Sequence, residues 1–446
     1  FKAMHQLHGH HKNAFIHIGP YRSLTGVNAD HWIDCQPSRT HVIAMGILNH
    51  VLTSDIGSQL PGSLHQLLSD KLKSFTRDRV LQQANISATE YDHLLTRLDQ
   101  AKNPLILGPG TGNNGPYGLL THVAANCLNL SLNPDLTLLD FERRHRVEMA
   151  AKRSEIHTFF KTCERDNIEL LLINNANPVY AMASGSGVVE ALTQKDLFVI
   201  CFSNFMDETA AKADLIFPVR MPLETWDEFG GLHGVTSTLQ PTMGALNRAP
   251  HLGDLLLQTC FGSDQPNQTY KDRLIASLSH DHGINTEYLW AQTLQQGGQF
   301  ELSPKGSYAQ PAPDGERITE LLANIPGPNS ADLTFQAQPS IRFFDGRGAN
   351  KPWLCEIPDP LQRIAWQTPV AMHPETAKSR RIQQEDIIDI QSKNGRLQAP
   401  VVVSELVAPG LLVMDMGQGH PEADPEAPMI GLNPCLLYTS PSPRDL

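Results

Sequence analysis

Apolar residues recur at helical spacing between Ser38 and Leu52, with Val42, Ile43, Met45, Leu48 and Val51 on one face, and this period predicts a helix. Ser63–Arg97 keeps a helical character. From Asn103 the pattern changes to short apolar runs closed by turn residues. Pro104–Leu107 runs into the glycine-rich turn Gly108–Gly115, and Leu119–Leu130 behind it reads as a helix. Thr137–Asp140, Ile168–Asn174, Phe198–Phe202 and Asp214–Pro218 are further strand candidates. Helical stretches at Ala151–Glu164, Gly187–Leu192 and Glu208–Lys212 separate them. Repetition of this order predicts one parallel, Rossmann-like α/β sheet over Asn103–Pro218. Phe261–Ser340 has weaker periodicity and several Gly/Pro breaks. After Trp366 come four closely spaced strand candidates, Val370–Met372, Ile387–Gln391, Pro400–Ser404 and Leu411–Met416. They predict a small, mainly antiparallel, β-rich barrel-like domain.

The expected organisation is a partial α/β and helical region at 1–102, a parallel α/β dinucleotide-binding domain at 103–260 and a helical and extended connection at 261–365. A β-rich cap follows at 366–434. The stretch 437–446, LYTSPSPRDL, has no core-forming pattern, resembles a translated sequencing adapter and is expected to be unpacked. The chain opens at Phe1 without an initiator methionine, and a true start upstream is expected.

A chain of 446 residues suffices for two to four domains. The net charge of -12 opposes binding to a nucleic-acid backbone. No apolar run reaches the length of a membrane-spanning helix. Seven scattered cysteines (Cys35, Cys127, Cys163, Cys201, Cys260, Cys355, Cys435) include no close pair, which argues against a cluster, a structural zinc or a disulfide framework. They read as small buried hydrophobes. The early histidines His5, His8, His10, His11 and His17 admit a metal site, but a polar loop or helix start near a pocket is the plainer reading, and no metal ligand is assigned.

Candidate chemistry sits at strand ends. Gly108 and Gly110 lie between a strand and a helix, where backbone amides attract phosphate; a plain tight turn is the alternative. Asn175, Asn177 and Pro178 occupy the carboxyl end of a strand, where open α/β sheets bind ligands. Ser203, Asp207 and Glu208 follow the next strand and offer acceptors to sugar hydroxyls or a guanine amino group; capping the following helix is the alternative. Asp214 opens the next strand, and Arg220 and Glu224 follow it. In the β-rich region, His373 and Thr376 lie in MHPETAK, and Gln418 and His420 in GQGH.

Four stretches resemble the molybdenum/tungsten bis-pterin guanine dinucleotide oxidoreductases, on the side of the polysulfide reductases and alternative complex III. They are INNANPVYAMASGSGVVEAL, CFSNFMDETAAKADLIFPVRMPLETWDEFG, DGRGANKPWLCEIPDP, and MHPETAKSRRI continued through GRLQAPVVV to GQGH and LNP. Their order and spacing from Ile173 to Pro434 carry the resemblance. It implies that this chain is a portion of a large subunit whose full-length parent holds molybdenum bis(molybdopterin guanine dinucleotide). A [4Fe–4S] cluster and the metal ligand are expected upstream of Phe1. Asn175, Asn177 and Pro178 match the family's nucleotide turn, Ser203, Asp207 and Glu208 the next strand end, and Asp214 the aspartate of its ADLxxP strand, all implied to bind the cofactor. His373, Thr376, Gln418 and His420 match pterin-facing loops of a cap expected to close over the same cleft. Implied partners are an iron–sulfur electron-transfer subunit and a membrane quinone-interacting subunit, on the periplasmic side. The usual GQGHTxxGRYA ending appears here as GQGHPEADPEAPMIGLNP, without its Arg-Tyr. The alternatives are a subunit of a quinone-linked complex that keeps the fold without the cofactor, and an unrelated nucleotide-binding α/β protein.

Overall fold

Two parallel strands, β1 (Ile16–Gly19) and β2 (His31–Asp34), open the fold; His17 lies in β1, not in the expected polar loop or helix start, and His5, His8, His10 and His11 lie outside the described residues. The structure is a computed structural model. It describes residues 14–54, 56, 60–110, 116–141, 143–163, 165–182, 186–262, 268–282, 286–300, 313–328, 331–349, 351–392, 395–420 and 431–437. The chain divides into two compact units: Phe1–Leu138 with Ala312–Leu446, and Leu139–Pro311.

In the first unit the expected helix spans Thr40–Thr53 and packs on Pro116–Leu132, Gly62–Leu72 and Arg77–Ala84. Its apolar face, including Val42, Ile43, Met45, Leu48 and Val51, joins Leu68, Leu72, Val80, Tyr91 and Leu128 in one core. Helix ends follow local chemistry. Ser87 accepts from the Glu90 amide at 3.1 Å at the start of Ala88–Asp99, and Asn85 ends Arg77–Ala84 in the left-handed region at φ 54°. Pro104–Leu107 is not in a strand. It is tied down by Asn129, whose side chain donates to the Ile106 carbonyl (2.8 Å) and accepts from its amide (2.9 Å).

The second unit contains a parallel sheet of β3 (Leu170–Asn174), β4 (Phe198–Phe202) and β5 (Leu215–Phe217), in sequence order. It begins at Leu170, not at Asn103: Thr137–Asp140 forms no strand, and 103–138 belongs to the first unit. A second, antiparallel sheet, which the pattern did not signal, comprises β6 (Asp227–Leu232), β7 (Val235–Leu239) and β8 (Gly298–Phe300).

The cap returns to the first unit. Its strands are β9 (Thr334–Pro339), β10 (Val370–Met372), β11 (Ile387–Gln391), β12 (Arg396–Val403) and β13 (Leu411–Met416). They form one sheet in the order β11-β12-β10-β13-β9. This corrects the barrel-like expectation. The sheet is open, because β11 and β9 lie at opposite edges and do not pair, whereas a barrel requires its first and last strands to meet. It is also mixed: β10 with β12 and β13 with β9 run parallel, β10 with β13 and β11 with β12 antiparallel. The parallel edge arises because β9 is recruited from before Trp366. Met372, Leu397, Ala399, Val401 and Met414 form the cap core, which Leu437 joins. Leu437 is thus packed, and residues 438–446 lie outside the described residues. Among the described residues no helix is long and apolar enough to cross a membrane.

Candidate functional site

The loops after β3 and β4 are built around Asn177. Asn175 takes φ 47° and donates its amide to the Phe202 carbonyl at 3.0 Å, locking the end of β3 to β4. Asn177 then caps the short helix Pro178–Ala181. Its Oδ1 accepts from the Tyr180 amide (3.3 Å) and the Thr209 hydroxyl (2.7 Å), and its Nδ2 donates to Glu208 Oε2 (2.5 Å). Thr209, 0% exposed, also accepts from the Val179 amide at 3.1 Å. Asp207 accepts from the Thr209 (3.1 Å) and Ala210 (2.8 Å) amides. Ser203 Oγ exchanges hydrogen bonds with the Phe205 backbone.

The structure thus brings Asn175, Asn177, Pro178, Ser203, Asp207 and Glu208 to one sheet edge. It does not bring Asp214 there. That carboxylate accepts from the Val199 amide at 2.8 Å, at the amino end of β4, about 13 Å back along the strand. It staples β5 to β4. Arg220 is turned onto the Ala249 carbonyl (3.2 Å), while the Leu246 and Met221 amides hold Glu224 below the usual carboxylate range.

A second set of loops lies in the first unit, where the carboxyl ends of β1 and β2 meet the cap. The Arg22 amide donates to the Leu406 carbonyl (2.8 Å), the Ala408 amide to Pro20 (2.8 Å), and Gln36 Nε2 to the Pro409 carbonyl (3.0 Å). Thr376 Oγ1 accepts from the Gly410 amide at 2.8 Å, and His373 Nδ1 caps its own helix by accepting from the Glu375 amide at 3.2 Å. Burial first, then Glu90, raises the Asp34 carboxyl above its ordinary value. Arg22 Nε, Gln36 Oε1, Ser38 Oγ and Arg39 Nε are buried here without a hydrogen-bond partner among the described residues, as is His31 Nε2 at the amino end of β2. Each such atom costs about 1–3 kcal/mol, so a polar ligand is the natural complement. The donors suit an anionic linkage and the acceptors suit ring amino or hydroxyl groups, so these residues fit a dinucleotide. Sequence reasoning passed over them; the signal available was two short strands, IHIG and HWID, each closing on proline with polar residues.

In the cap, Gln418 is 3% exposed. Its Oε1 accepts from Thr368 Oγ1 (2.6 Å) and its Nε2 donates to the Trp366 carbonyl (3.0 Å). Gly419, at φ 74°, is required because a Cβ would strike the Asn433 amide. His420 follows, half-buried. Gln418, Thr368, Arg342, Asp359 and Asp415 line a cavity of about 10 Å³, room for about one water. Burial pushes the Asp415 carboxyl up to about 7, with Asp359 adding to the rise; the Gln338 amide at 2.6 Å and Arg342 oppose it. Gly108 packs against the His122 ring, which explains that glycine, whereas Gly110 faces open space; 111–115 lie outside the described residues.

No group of three or more His, Cys, Asp or Glu side chains among the described residues could hold a metal. All seven cysteines are free and five are buried; burial pushes the Cys35 thiol up to about 12.

The first unit thus combines two short parallel strands with an open β cap, and the second carries a parallel sheet with polar strand-end loops. The profile described as "Molybdopterin oxidoreductase" matches residues 8–247, and that described as "Molydopterin dinucleotide binding domain" matches residues 359–434. The chain belongs to the molybdopterin oxidoreductase family. It is 24% identical over 448 aligned residues to the menaquinone reductase, molybdopterin-binding-like subunit of Nitratidesulfovibrio vulgaris, covering 95% of this chain and 62% of that protein. It is 23% identical over 292 residues to the thiosulfate reductase molybdopterin-containing subunit of Salmonella typhimurium, covering 56% of this chain and 38% of that protein. The latter accords with a polysulfide/thiosulfate reductase-like subgroup. The chain thus spans under two thirds of the length of either relative. Acetylene hydratase from Pelobacter acetylenicus shares the fold, with TM-score 0.65 and 15% identity over 95% of this chain and 70% of that one.

Proposed function

We propose that this chain is the dinucleotide-holding portion of a molybdopterin-dependent oxidoreductase large subunit that serves electron transfer in a respiratory complex. The observation that carries the reading is the set of buried, unpartnered polar atoms at the carboxyl ends of β1 and β2, beneath cap residues 406–410. In this reading, within the first unit, Arg22 and Arg39 donate to a pyrophosphate and Gln36 offers an acceptor; separately, in the second unit, Asn175, Ser203 and Asp207 offer acceptors to nucleoside groups. His373, Thr376, Gln418 and His420 face the pterin, and Gly108 and Gly110 keep backbone near it. Asn177 and Glu208 hold the turn that presents Asn175. When bound, the molybdenum bis(molybdopterin guanine dinucleotide) supplies the redox chemistry, and the protein positions it and excludes water. This reading also calls for a [4Fe–4S] cluster and a metal ligand, which no residue named here supplies. The names of the menaquinone and thiosulfate reductase relatives support a quinone-linked assembly. Its partners are an iron–sulfur subunit and a quinone-interacting membrane subunit, at the periplasmic face.

A second reading is a subunit that keeps the fold without the cofactor. It is favoured by the relative covering 95% of this chain being described as molybdopterin-binding-like. Metal analysis and fluorescence of extracted pterin decide between them, on protein made from the complete upstream reading frame. Molybdenum or tungsten with pterin in stoichiometric amounts supports the first. An assembled complex that copurifies with its partners but holds no pterin sinks it in favour of the second.

A further inference from the structure

The first unit carries a polar groove that none of the residues above uses. It lies between the helices Gly62–Leu72 and Arg77–Ala84 and the segment 322–327, and encloses about 310 Å³, within the range of small-molecule pockets. Two cations stand on its wall, Lys71 and Arg79, with Asp70 opposing them. Asp70 is engaged by the Gln66 amide at 3.2 Å. Neighbouring Arg77 is tied to Asp92 by two bonds of 2.7 and 2.6 Å. Arg79, by contrast, forms no ion pair with a carboxylate among the described residues. It is aimed instead by its bond to the Ser74 carbonyl (3.3 Å) and by the Phe75 ring, 5.4 Å away. The floor is apolar, with Phe75, Leu322 and Ile325. The far wall is fixed from below: His41 Nε2 donates to the Pro326 carbonyl at 3.0 Å, and the Tyr117 hydroxyl to the Gly327 carbonyl at 3.4 Å. The proline carbonyl can only accept, which sets the donor. The groove is thus pre-shaped, cationic on one side and apolar at its base, in a chain of net charge -12.

We infer that this groove binds a small organic anion, one carboxylate or phosphate group on an apolar body. The anion contacts Arg79 and Lys71, Ser74 and Gln83 offer hydrogen bonds, and the body lies on Phe75, Leu322 and Ile325. An arginine held in place gives a planar fork that suits either anion, and a flexible lysine adds charge without geometry.

The test is calorimetric titration of the whole protein at low salt with benzoate, phenyl phosphate, acetate and inorganic phosphate. Benzoate or phenyl phosphate should saturate a single site, and acetate and inorganic phosphate, lacking a body, should bind at least about tenfold more weakly. Tighter benzoate identifies a carboxylate ligand, tighter phenyl phosphate a phosphate ligand, and either result supports the site. Arg79→Gln should weaken binding by about tenfold or more, and Lys71→Gln by less, with Arg97→Gln unchanged as an exposed control. If Arg79→Gln does not fold by circular dichroism, Ala323→Trp, at an exposed lining position, should block the groove instead. Failure of both benzoate and phenyl phosphate to saturate overturns the inference. So does undiminished binding by a folded Arg79→Gln or Ala323→Trp protein. None of these titrations reads pterin content, so the outcome is independent of the proposed cofactor role.

Discussion

The cap sheet and the parallel sheet of the second unit are both made of short strands, yet they are covered very differently. In the cap, β13 and β10 are buried almost throughout, with Met414 at 0% exposure. In the parallel sheet, Leu170, Leu172, Phe198 and Leu215 on one face are exposed, Leu172 at 48%, while Ile173, Val199 and Cys201 on the other are buried. Parallel sheets are ordinarily covered on both faces. The difference teaches where each region keeps its stability. The cap holds it in packed side chains across mixed pairings. The parallel sheet holds it on one face and in the polar bonds of its strand-end loops, where Asn177, Glu208 and Thr209 lock two loops together.

Four substitutions would break or sharpen this contrast. Met414→Ala should have the largest effect, about 2–5 kcal/mol, because it leaves a cavity in a core with little room to collapse. Urea unfolding of the variant reads it, and a loss below about 1 kcal/mol would show the cap to be loosely packed. Asp415→Asn addresses what the cap pays for burying a carboxyl. The folded value of about 7 lies above an unfolded value of about 3.9, so the folded state holds the extra proton. The stability associated with that proton is complete below about pH 4 and lost as pH rises through about 7. The amide variant should therefore gain on the wild type by about 1–4 kcal/mol between pH 4 and 8, read from unfolding at several pH values. A gain independent of pH would remove the carboxyl from this account.

In the second unit, Asn177→Ala should cost about 1–2 kcal/mol by removing a helix cap and the bonds that Asn177 makes to Glu208 and Thr209. The loss should show as faster amide exchange at Tyr180 and Val179, measured by hydrogen exchange, and unaltered protection there would sink the lock. Leu172→Ala should have the smallest effect, below about 1 kcal/mol, since half of the side chain already meets solvent. A loss comparable to that of Met414→Ala, measured by the same urea titration, would mean that this face is covered in the assembled protein.

Much of this was legible along the chain, and the misses have common causes. β4, β10, β11 and β13 were readable to the residue, because each is an apolar run closed by turn residues. The helix Thr40–Thr53 was readable from its period. Pro104–Leu107 looked like a strand for the same reason, but its backbone bonds go to the Asn129 side chain, and no local pattern distinguishes a ladder partner from a side chain. Among site residues, Asn177 and Glu208 were legible as polar groups at strand ends. Thr209, buried between them, was not, because a threonine inside a helix start has no distinguishing neighbour in sequence. Asp214 stood out beside a strand but faces the other end of the sheet, an orientation fixed only by its bond to Val199.

The sequence by itself determined such local elements as the helix Thr40–Thr53 and the strands β4, β10, β11 and β13, the absence of close cysteine pairs and, through the order of four motifs, the molybdopterin oxidoreductase family. Those properties depend on residues within a few positions of one another, or on their linear order. Only the tertiary structure decided that β9 joins the cap alongside β13, that the cap sheet stays open, and that Arg22 Nε, Gln36 Oε1 and Ser38 Oγ are buried without a hydrogen-bond partner among the described residues where the first strands meet residues 406–410. Strand pairing and burial join residues tens to hundreds of positions apart. Their energies arise from contacts that exist only once the chain has closed on itself.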